Sequence, residues 1–547
     1  MPNFPNNPTN GSTAVFNGIT YTYNGNSWDG TVTTTSSSTS GVSSIIAGHG
    51  ISVDTSTGNV TVSTNALNDG VYTILDPIFG GQHNGSWSRA FNHALQGTVQ
   101  TGTYHNGTIK RLLVPAGEYN CTSYILRTRD VRIIGDGQSA TKIKMGTSAP
   151  YTITVDGTTA SGQIVLANKG ALEGIRFSGH VPTDTEISNG STAASVVLAL
   201  RKYNNSGDMF GTYTPTGSGQ NDSADMDMPI IQCGFTNTNG NHNATGGGDH
   251  DAVLKYIGRN AYIFGCSFNT DGVAIHLSFP NQPGATVASA VSGGDSCTNN
   301  NSLANASQGG IYGWRRCQII GCYFHLKDDT ADCIIVRGPY QCRGLVIANN
   351  LSDIGGRFFK FIPDAAVSGN YSNGVGGGLS QLSMTGNTAL NLDGNKAYVD
   401  LTGSGGLGAY DNCSITGNSF AGSDESHSVS PCNDSNKVKR CNTAIEISSG
   451  CNVHGLSITG NSFGYFEREA IDINTSSSTE KRGISITGNN FLNCGIGSST
   501  YFVIGCDNGV HGICIGNSYL KTMTAATSNF ITGSNLLNKT DNYSGSI

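Results

Sequence analysis

Short stretches of alternating apolar and polar residues recur along most of the chain, and many of them end at a Gly-Asn pair. Leu456 and Ile458 alternate with polar residues before Gly460, and Ile471 and Ile473 alternate again a few residues later. Alternation with a period of two predicts β-strands. No apolar pattern of helical length lies between these stretches, so leucine-rich and helical repeats are excluded.

The Gly-Asn pairs belong to a repeated motif in which apolar residues precede the glycine and an aromatic residue often follows it. Its clearest copies are Met384–Asn387, Ile415–Phe420, Ile458–Phe463, Ile486–Phe491 and Ile515–Tyr519, with weaker copies at Ile263–Phe268, Ile320–Phe324 and Val367–Tyr371. The glycines of the clear copies are 31, 43, 28 and 28 residues apart. Periods of this length indicate a solenoid, a propeller or an array.

The details of the motif favour a solenoid. A propeller blade needs hairpin turns and a steadier period than this sequence has. The glycine of each motif suits the end of a strand, where the backbone takes a positive φ. Equivalent Asn side chains can hydrogen-bond between successive coils, and the Phe or Tyr that follows can stack. We therefore predict an all-β parallel β-helix whose variable intervals are loops on one side.

Composition supports this prediction and narrows the partners. Only 12% of the 547 residues are charged and 75 are glycine, against about 25% charged and about 7% glycine in an average protein. The net charge of −7 and the lack of a long basic run exclude nucleic acid as a partner. The sequence contains no run of about 18 apolar residues, so it does not predict insertion into a membrane. The 15 cysteines lack metal-ligand spacing, so we expect buried thiols, no metal and no cofactor.

Three segments near the start of the repeat, Arg111–Tyr119, Val131–Gln138 and Thr141–Lys144, resemble the first coils of pectate-lyase-like (pectin-lyase-like) proteins. The resemblance implies a right-handed parallel β-helix over residues 68–535. Ser86–Leu95 before it has the pattern of an amphipathic helix. The resemblance implies that this helix, predicted at 86–96, caps the N-terminal end of the core.

The N-terminal part is different in kind. Ile19–Trp28 alternates around an Asn-Gly turn, a Ser/Thr-rich stretch follows, and residues 46–53 and 59–63 form a second hairpin-like unit. The whole resembles a phage tailspike or tail fibre. That resemblance implies a small N-terminal β attachment module at 1–30 that binds other phage tail proteins, a linker and neck at 31–67, a C-terminal tail at 536–547, and a homotrimer. It also implies a place in the virion after assembly in the host cytoplasm.

The first candidate site is Asn269–Gly272 followed by a pair of aspartates, which is similar to polygalacturonase-type glycoside hydrolases. The similarity implies that Asp271, Asp328 and Asp329 are catalytic. If Gly265 and Gly321 are equivalent, these carboxylates lie in neighbouring coils with a long insert between. The 56-residue interval between these two glycines is longer than in that family, and the Gly-His-Gly expected one coil later is absent. An ordinary turn beside a solvated acidic loop remains the alternative.

The sequence offers three further groups of candidate residues. Trp314, Arg315, Arg316 and Tyr323 could bind a sugar, although aromatic residues of a coil more often belong to the core. A second acidic group, Glu467, Glu469 and Asp472 with Arg468 beside it, is better explained as a salt-bridged rim loop than as a catalytic site. Asp249–Asp251 could bind a metal or act as an acid and base, but such loops are more often metal-free.

The resemblance to tailspikes implies binding of a host surface polysaccharide, capsule or lipopolysaccharide, and its hydrolysis during adsorption. A non-enzymatic receptor-binding or structural fibre is the alternative. A secreted bacterial β-helix enzyme is disfavoured because residues 1–10 have no features of a secretory signal.

Overall fold

The computed structural model divides into two compact units, residues 1–68 and 69–547. The small unit contains antiparallel strands, and the large unit contains three long, mainly parallel sheets. The residues that the structure describes are 4–16, 19–31, 51–53, 62–64, 70–96, 109–127, 130–146, 149–155, 158–167, 170–182, 184–192, 194–200, 228–237, 252–257, 261–278, 317–326, 331–338, 341–354, 356–363, 378–390, 397–403, 409–422, 441–476, 479–498, 500–522, 530–532, 536–537 and 543–546.

The large unit is a right-handed parallel β-helix, as predicted. The chain passes from a strand of the first sheet to the second sheet and then the third, and returns to the first sheet one coil further on. Crossover connections between parallel strands of one sheet are right-handed in nearly all proteins. Each sheet therefore contains one strand from almost every coil.

The strand bounds follow this order. The first sheet contains Val71–Thr73, Arg111–Val114, Arg132–Gly135, Leu172–Glu173, Met228–Ile231, Ala261–Phe264, Gln318–Ile320, Gln341–Arg343, Val346–Ala348, Gly378–Ser380, Ser383–Thr385, Ala409–Thr416, Asn452–Thr459, Lys481–Thr487, Val510–Ile515 and Leu536–Leu537. The second contains Gly117–Asn120, Thr141–Lys144, Arg176–Gly179, Gly234–Asn237, Ser267–Thr270, Tyr323–Leu326, Leu351–Ile354, Thr388–Leu390, Ser419–Ala421, Ser462–Gly464, Asn490–Leu492, Ser518–Lys521 and Tyr543–Ser546. The third contains Ile125–Arg127, Tyr151–Val155, Thr158–Ala167, Ser195–Leu200, Leu254–Ile257, Ile275–Ser278, Ile334–Gly338, Phe359–Pro363, Ala397–Leu401, Thr443–Ile447, Ile471–Ile473 and Ile504–Cys506.

Parallel pairing continues beyond residue 535. Leu536–Leu537 pairs with Val510–Ile515, and Tyr543–Ser546 pairs with Ser518–Lys521. These strands lie in the segment 536–547 that the sequence suggested as a separate tail.

The Gly-Asn motifs lie at the corner between the first and second sheets. The motif glycines have φ between +58° and +66°, which glycine adopts without strain, at Gly265, Gly321, Gly386, Gly417, Gly460, Gly488 and Gly516. Their amides continue the parallel ladder, as when Gly417 N donates to Thr459 O at 3.0 Å. The predicted equivalence of these corners is confirmed, while the weaker copy Val367–Tyr371 lies outside the described residues.

The asparagines of these corners form a buried ladder through successive coils. In the middle of it, Asn418 Nδ2 donates to Asn461 Oδ1 at 2.9 Å and to Met384 O at 3.0 Å. The backbone N–H of Asn418 also donates to Asn461 Oδ1, at 2.9 Å. The same pattern joins Asn350, Asn387, Asn418, Asn461, Asn489 and Asn517. Each buried amide is thereby satisfied by its neighbours, as burial requires.

Aromatic side chains stack inside the second sheet, as predicted. Ring centroids in the first run are 4.9 to 5.7 Å apart, along Phe177, Phe235, Phe268 and Phe324. A second run joins Phe420, Phe463 and Phe491 at 5.8 and 4.9 Å. Ser352 and Ala389 occupy the same column between the two runs.

Helix Ser88–Gln96 covers the first strands of the second and third sheets. Asn92 Oδ1 accepts from Leu126 N at 2.7 Å, and Phe91 is buried against Tyr119. The helix begins two residues later than predicted, because Ser86 Oγ accepts from Thr122 N and Trp87 N donates to Asn120 O. Those bonds tie both residues to the end of a strand. The other helices within the described ranges are the 3₁₀ turn Pro77–Phe79 and Asp184–Ser188.

The small unit contains the predicted hairpins. Ile19–Tyr23 pairs antiparallel with Trp28–Thr31 across the Asn-Gly turn, and Thr13–Phe16 adds a third strand. Phe4 stacks on Trp28 with ring centroids 4.9 Å apart. Ile51–Val53 and Val62–Thr64 form the second hairpin.

The cysteines of the described residues agree with the thiol prediction. Twelve of them are buried and form no disulfide: Cys121, Cys233, Cys266, Cys317, Cys322, Cys333, Cys413, Cys441, Cys451, Cys494, Cys506 and Cys514. Three of these, Cys233, Cys266 and Cys322, take the corner position that asparagine takes in later coils. None of the helices that the structure describes has the length and hydropathy needed to cross a bilayer.

The ladder supplies a test of the fold. Asn461→Ala removes the acceptor of two Asn418 groups and leaves Ile415 O without its side-chain donor. Each orphaned buried group costs about 1–3 kcal/mol. We expect the free energy of unfolding to fall by roughly 3 kcal/mol or more, measured by denaturant titration. Asn490→Ala, at an exposed position beside the ladder in the next coil, serves as the control and should change the free energy of unfolding by less than about 1 kcal/mol.

Candidate functional site

Of the three aspartates predicted to be catalytic, one, Asp271, lies within the described residues. Asp271 follows strand Ser267–Thr270 of the second sheet, in a turn where Thr270 Oγ1 donates to Gly272 O at 2.7 Å. Ser267 pairs with Tyr323, so the 56-residue interval between Gly265 and Gly321 is one coil, as predicted. Asp328, Asp329, Trp314, Arg315, Arg316 and Asp249–Asp251 lie outside the described residues.

Tyr323, the described member of the predicted sugar-binding set, lies on the outer surface with 39% of its area exposed. Its hydroxyl donates to Asp353 Oδ2 in the next coil, and His325 Nδ1 lies 2.9 Å from Asp353 Oδ1. The hydrogen bond to Asp353, together with burial, raises the pKa of Tyr323 to about 12. Tyr323, His325 and Asp353 thus form a polar surface cluster one coil beyond Asp271.

A different group of carboxylates meets on the side of the third sheet that faces away from the core. In the strands from Leu254–Ile257 onward, one position lies between two core residues, as Glu446 does between Ile445 and Ile447. In register, the residues at this position are Lys255, His276, Ile335, Lys360, Asp400, Glu446, Asp472 and Gly505. Three acidic residues therefore occupy directly paired positions in three consecutive coils. We call Asp400, Glu446 and Asp472 the acidic column.

The acidic column is electrostatically unfavourable. Burial, followed by the charges of Asp400 and Asp472, raises the pKa of Glu446. Burial also raises the pKa of Asp472, a hydrogen bond from Asn474 Nδ2 at 3.1 Å opposes that rise, and Glu469 adds to it. Like charges directly opposite one another destabilise a sheet. Half-buried carboxylates with raised pKa values are typical of acid and base catalysts.

Arg357 holds one end of the column. Its Nε lies 3.0 Å from Asp332 Oδ1, and its Nη1 donates to Asp400 Oδ2. All three side chains are nearly inaccessible, with 11%, 0% and 8% exposed for Arg357, Asp332 and Asp400. Burial raises the pKa of Asp400 even though this guanidinium opposes the rise. Arg357 therefore fixes Asp400 in place, leaving Glu446 and Asp472 as the more accessible acids.

The other end of the column is open and more polar. Glu469 Oε2 lies 3.6 Å from Arg468 Nε and has no hydrogen-bond partner among the described residues. The Arg468 guanidinium lies 5.6 Å from the centroid of the Tyr501 ring. A buried carboxylate oxygen without a hydrogen bond, beside an aromatic ring and an exposed cation, is a surface that can bind a polar ligand.

Glycines in the next coil leave room for these carboxylates. A Cβ at Gly505 would lie 2.9 Å from Glu469 Cγ and 3.3 Å from Asp472 Oδ1. A Cβ at Gly497 would lie 2.7 Å from Glu467 Cγ. Any larger side chain at either position would displace the acids.

Sequence reasoning found Glu467, Glu469 and Asp472 but favoured a salt-bridged rim, and it missed Asp400 and Glu446. The Arg468–Glu469 contact agrees with a rim ion pair, whereas Asp472 belongs to the acidic column. A usable signal was present: Ala444–Ile447 and Ala470–Ile473 both place an acid between two isoleucines. Aligning these two segments pairs Glu446 with Asp472, as the structure does.

No protein-family model and no curated relative matches the chain. Solved structures with a similar fold include a tailspike of Escherichia coli bacteriophage HK620 in complex with a pentasaccharide, 10% identical over 91% of this chain and 82% of that chain, TM-score 0.39. An exopolygalacturonase of Thermotoga maritima is 10% identical over 78% and 87%, TM-score 0.39. PfbA, a surface adhesin of Streptococcus pneumoniae, is 11% identical over 86% and 93%, TM-score 0.43. Similarities this low assign no activity to this chain.

The raised pKa values predict a pH-dependent cost in stability. An acid whose pKa is higher in the folded protein binds more protons when folded, so stability falls as pH rises from about 4.5 through the raised pKa. Glu446→Gln removes one such charge. We expect it to raise the melting temperature at pH 7 and to leave it nearly unchanged at pH 4. A melting temperature that falls equally at both pH values would contradict the electrostatic origin.

Proposed function

We propose that this chain is a phage tailspike that binds a bacterial surface polysaccharide and hydrolyses its glycosidic bonds at the acidic column. The observation that carries the hydrolase assignment is the direct pairing of Glu446 and Asp472 in adjacent coils, with raised pKa values for both. Glycoside hydrolysis needs two carboxyl groups in which one is protonated and the other ionised.

The environments of the two acids suggest their roles. Glu446 lies between Asp400 and Asp472, whose charges favour its protonated form, so it is suited to be the general acid. Asp472 accepts a hydrogen bond from Asn474, which favours the carboxylate, so it is suited to be the nucleophile. Arg357 is a positioning residue that holds Asp400 and thereby maintains the field at Glu446.

Adjacent coils are about 4.8 Å apart, close to the about 5–5.5 Å between carboxyl groups of retaining glycosidases. In the proposed reaction Asp472 attacks the anomeric carbon while Glu446 gives its proton to the departing glycosidic oxygen. Glu446 then takes a proton from a water molecule, which displaces Asp472 from the sugar. The product keeps the anomeric configuration of the substrate.

The phage assignment is supported by the sequence. The N-terminal hairpin Ile19–Trp28, the Ser/Thr-rich linker and the second hairpin resemble the start of tail fibres. We propose that residues 1–30 attach to other tail proteins in the virion and that the chain forms a homotrimer whose β-helix meets the capsule or lipopolysaccharide of the host.

The experiment begins with a glycan that the purified chain binds, identified from a panel of capsular and O-chain polysaccharides. We expect cleavage of that glycan, and we expect Glu446→Gln and Asp472→Asn each to reduce the rate by roughly 100-fold or more without loss of binding. Glu480→Gln, an exposed acid in a turn of the same coils, is the matched control. Proton NMR of the first product should show retained anomeric configuration.

Asp271→Asn and Asp329→Asn test the competing site. Normal cleavage by both variants is expected if the acidic column is catalytic. If they abolish cleavage while Glu446→Gln does not, the polygalacturonase-like site predicted from the sequence is the correct one. A glycan that is bound tightly and never cleaved would instead establish a non-enzymatic receptor-binding fibre.

A further inference from the structure

The proposed catalytic site holds more negative than positive charge. Besides the acidic column it includes Glu469 and Asp507, whose charges raise the pKa of Asp472. The cations that oppose these charges are Arg468 and Arg357. Among the described residues, five carboxyl groups are thus opposed by two guanidinium groups. The balance stays negative when one carboxyl group is protonated, as glycoside hydrolysis requires.

Both guanidinium groups already have carboxylate partners. Arg357 is buried and binds both Asp332 and Asp400. The side chain of Arg468 is 45% exposed, and its Nε lies 3.6 Å from Glu469 Oε2. In the part of this site that the structure describes, no guanidinium group is therefore left to bind an anionic ligand.

Main-chain hydrogen bonds hold Arg468 and Glu469 in place. Arg468 N donates to Asn442 O of the preceding coil at 2.8 Å, and Gly495 N of the next coil donates to Arg468 O at 2.9 Å. A Cβ at Gly505 would lie 2.9 Å from Glu469 Cγ, so this glycine packs closely against the glutamate. The pair is thus anchored to both neighbouring coils, and Glu469 neutralises the accessible guanidinium group at this end of the acidic column.

The sequence around the acidic column does not reverse this balance. Segments 391–396 and 423–440, which precede the strands of Asp400 and Glu446, lie outside the described residues and together contain four acidic and four basic residues. Residues 391–508 as a whole contain 12 acidic and 7 basic residues, a net charge of −5 against −7 for the entire chain. Most of the negative charge of the chain therefore belongs to these coils.

An anionic sugar that entered this site would add a like charge. Near a protein surface, a carboxylate about 6 Å from an unopposed negative charge is repelled by an energy equivalent to about 100-fold in affinity. Hydroxyl and amide groups carry no charge and donate hydrogen bonds to carboxylates. The site thus excludes one class of ligand by repulsion and favours another by hydrogen bonding, and specific sites combine these two means.

We infer that the acidic column cleaves a polysaccharide whose sugar units at the cleaved bond carry no anionic group, and that Glu469 sets this preference by occupying Arg468. The inference rests on the proposed function and names its substrate class. Neutral hexoses and N-acetylated amino sugars meet the requirement, whereas uronic acids, sialic acids and phosphorylated sugars do not. Without the charge of Glu469, Arg468 would be free to bind a substrate carboxylate.

The first test compares one glycan in two charge states. The primary hydroxyl groups of the cleaved polysaccharide are oxidised to carboxylates, and kcat/KM is measured for the parent and the oxidised polymer. We expect the oxidised polymer to be cleaved roughly 100-fold more slowly at low ionic strength. Added salt should reduce the difference, because it screens exposed charges.

The methyl ester of the oxidised polymer is the control for its changed shape. The ester is uncharged, so we expect its kcat/KM to return close to that of the parent. A parent glycan with an acidic sugar at the cleaved bond would overturn the inference. Equal rates for the parent and the oxidised polymer would overturn it as well.

The second test separates the role of Glu469 from a general loss of charge. Glu469→Gln removes the carboxylate beside Arg468, and Glu480→Gln removes an exposed carboxylate that lies 3.0 Å from Arg482. We expect Glu469→Gln to reduce the preference for the parent over the oxidised polymer by roughly 10-fold or more, and Glu480→Gln to leave the preference unchanged. Combining Arg468→Gln with Glu469→Gln should restore it. A ratio of two rates from one sample does not depend on how much of the variant is folded.

The outcomes distinguish this inference from the proposed function. Normal cleavage by Glu446→Gln and Asp472→Asn would overturn the proposed function, and this inference with it. If those two variants are inactive while the parent and the oxidised polymer are cleaved equally fast, the acidic column is catalytic and the substrate class alone is wrong. An unchanged preference in Glu469→Gln would overturn the role assigned to Glu469.

Discussion

Parallel pairing of each coil with the next is the constraint on which the rest of the structure depends. Equivalent residues repeat about every 4.8 Å along the axis, so each side chain faces its counterpart one coil away. Buried asparagines and stacked phenylalanines gain from this arrangement, because amides find both donor and acceptor and rings find a face. Acidic residues lose by it, because like charges are brought together.

The acidic column therefore destabilises the pairing of its coils. The asparagine ladder runs through the same coils, at Asn387, Asn418 and Asn461, and ties them together at the corner between the first and second sheets. The pairing of Thr443–Ile447 with Ile471–Ile473 consequently does not depend on attraction between their outward side chains. Stability supplied by the corner allows the third sheet to carry charges that a less constrained strand pair would separate, which is the usual relation between a strained site and its support.

Counting residues from the motif glycines predicts the corner but not the acidic column, for one geometric reason. Gly and Asn mark a turn of fixed length, so Gly417, Gly460 and Gly488 register the first and second sheets directly. The interval from the second sheet to the third varies: 21 residues separate Ala421 from Thr443, but 6 separate Gly464 from Ile471. Counting from the glycine therefore gives Glu446 and Asp472 different offsets although they are paired.

Variable intervals and corners of fixed length lie on different sides of the β-helix. Intervals of variable length flank the third sheet, as between Ser278 and Gln318, whereas the corner between the first and second sheets has two residues in each coil from Glu173 to Ser518. A longer or shorter interval beside the third sheet changes what can approach Glu446 and Asp472. It leaves the pairing at the corner unchanged. The approach to the acidic column can thus vary without altering the corner that ties the coils together.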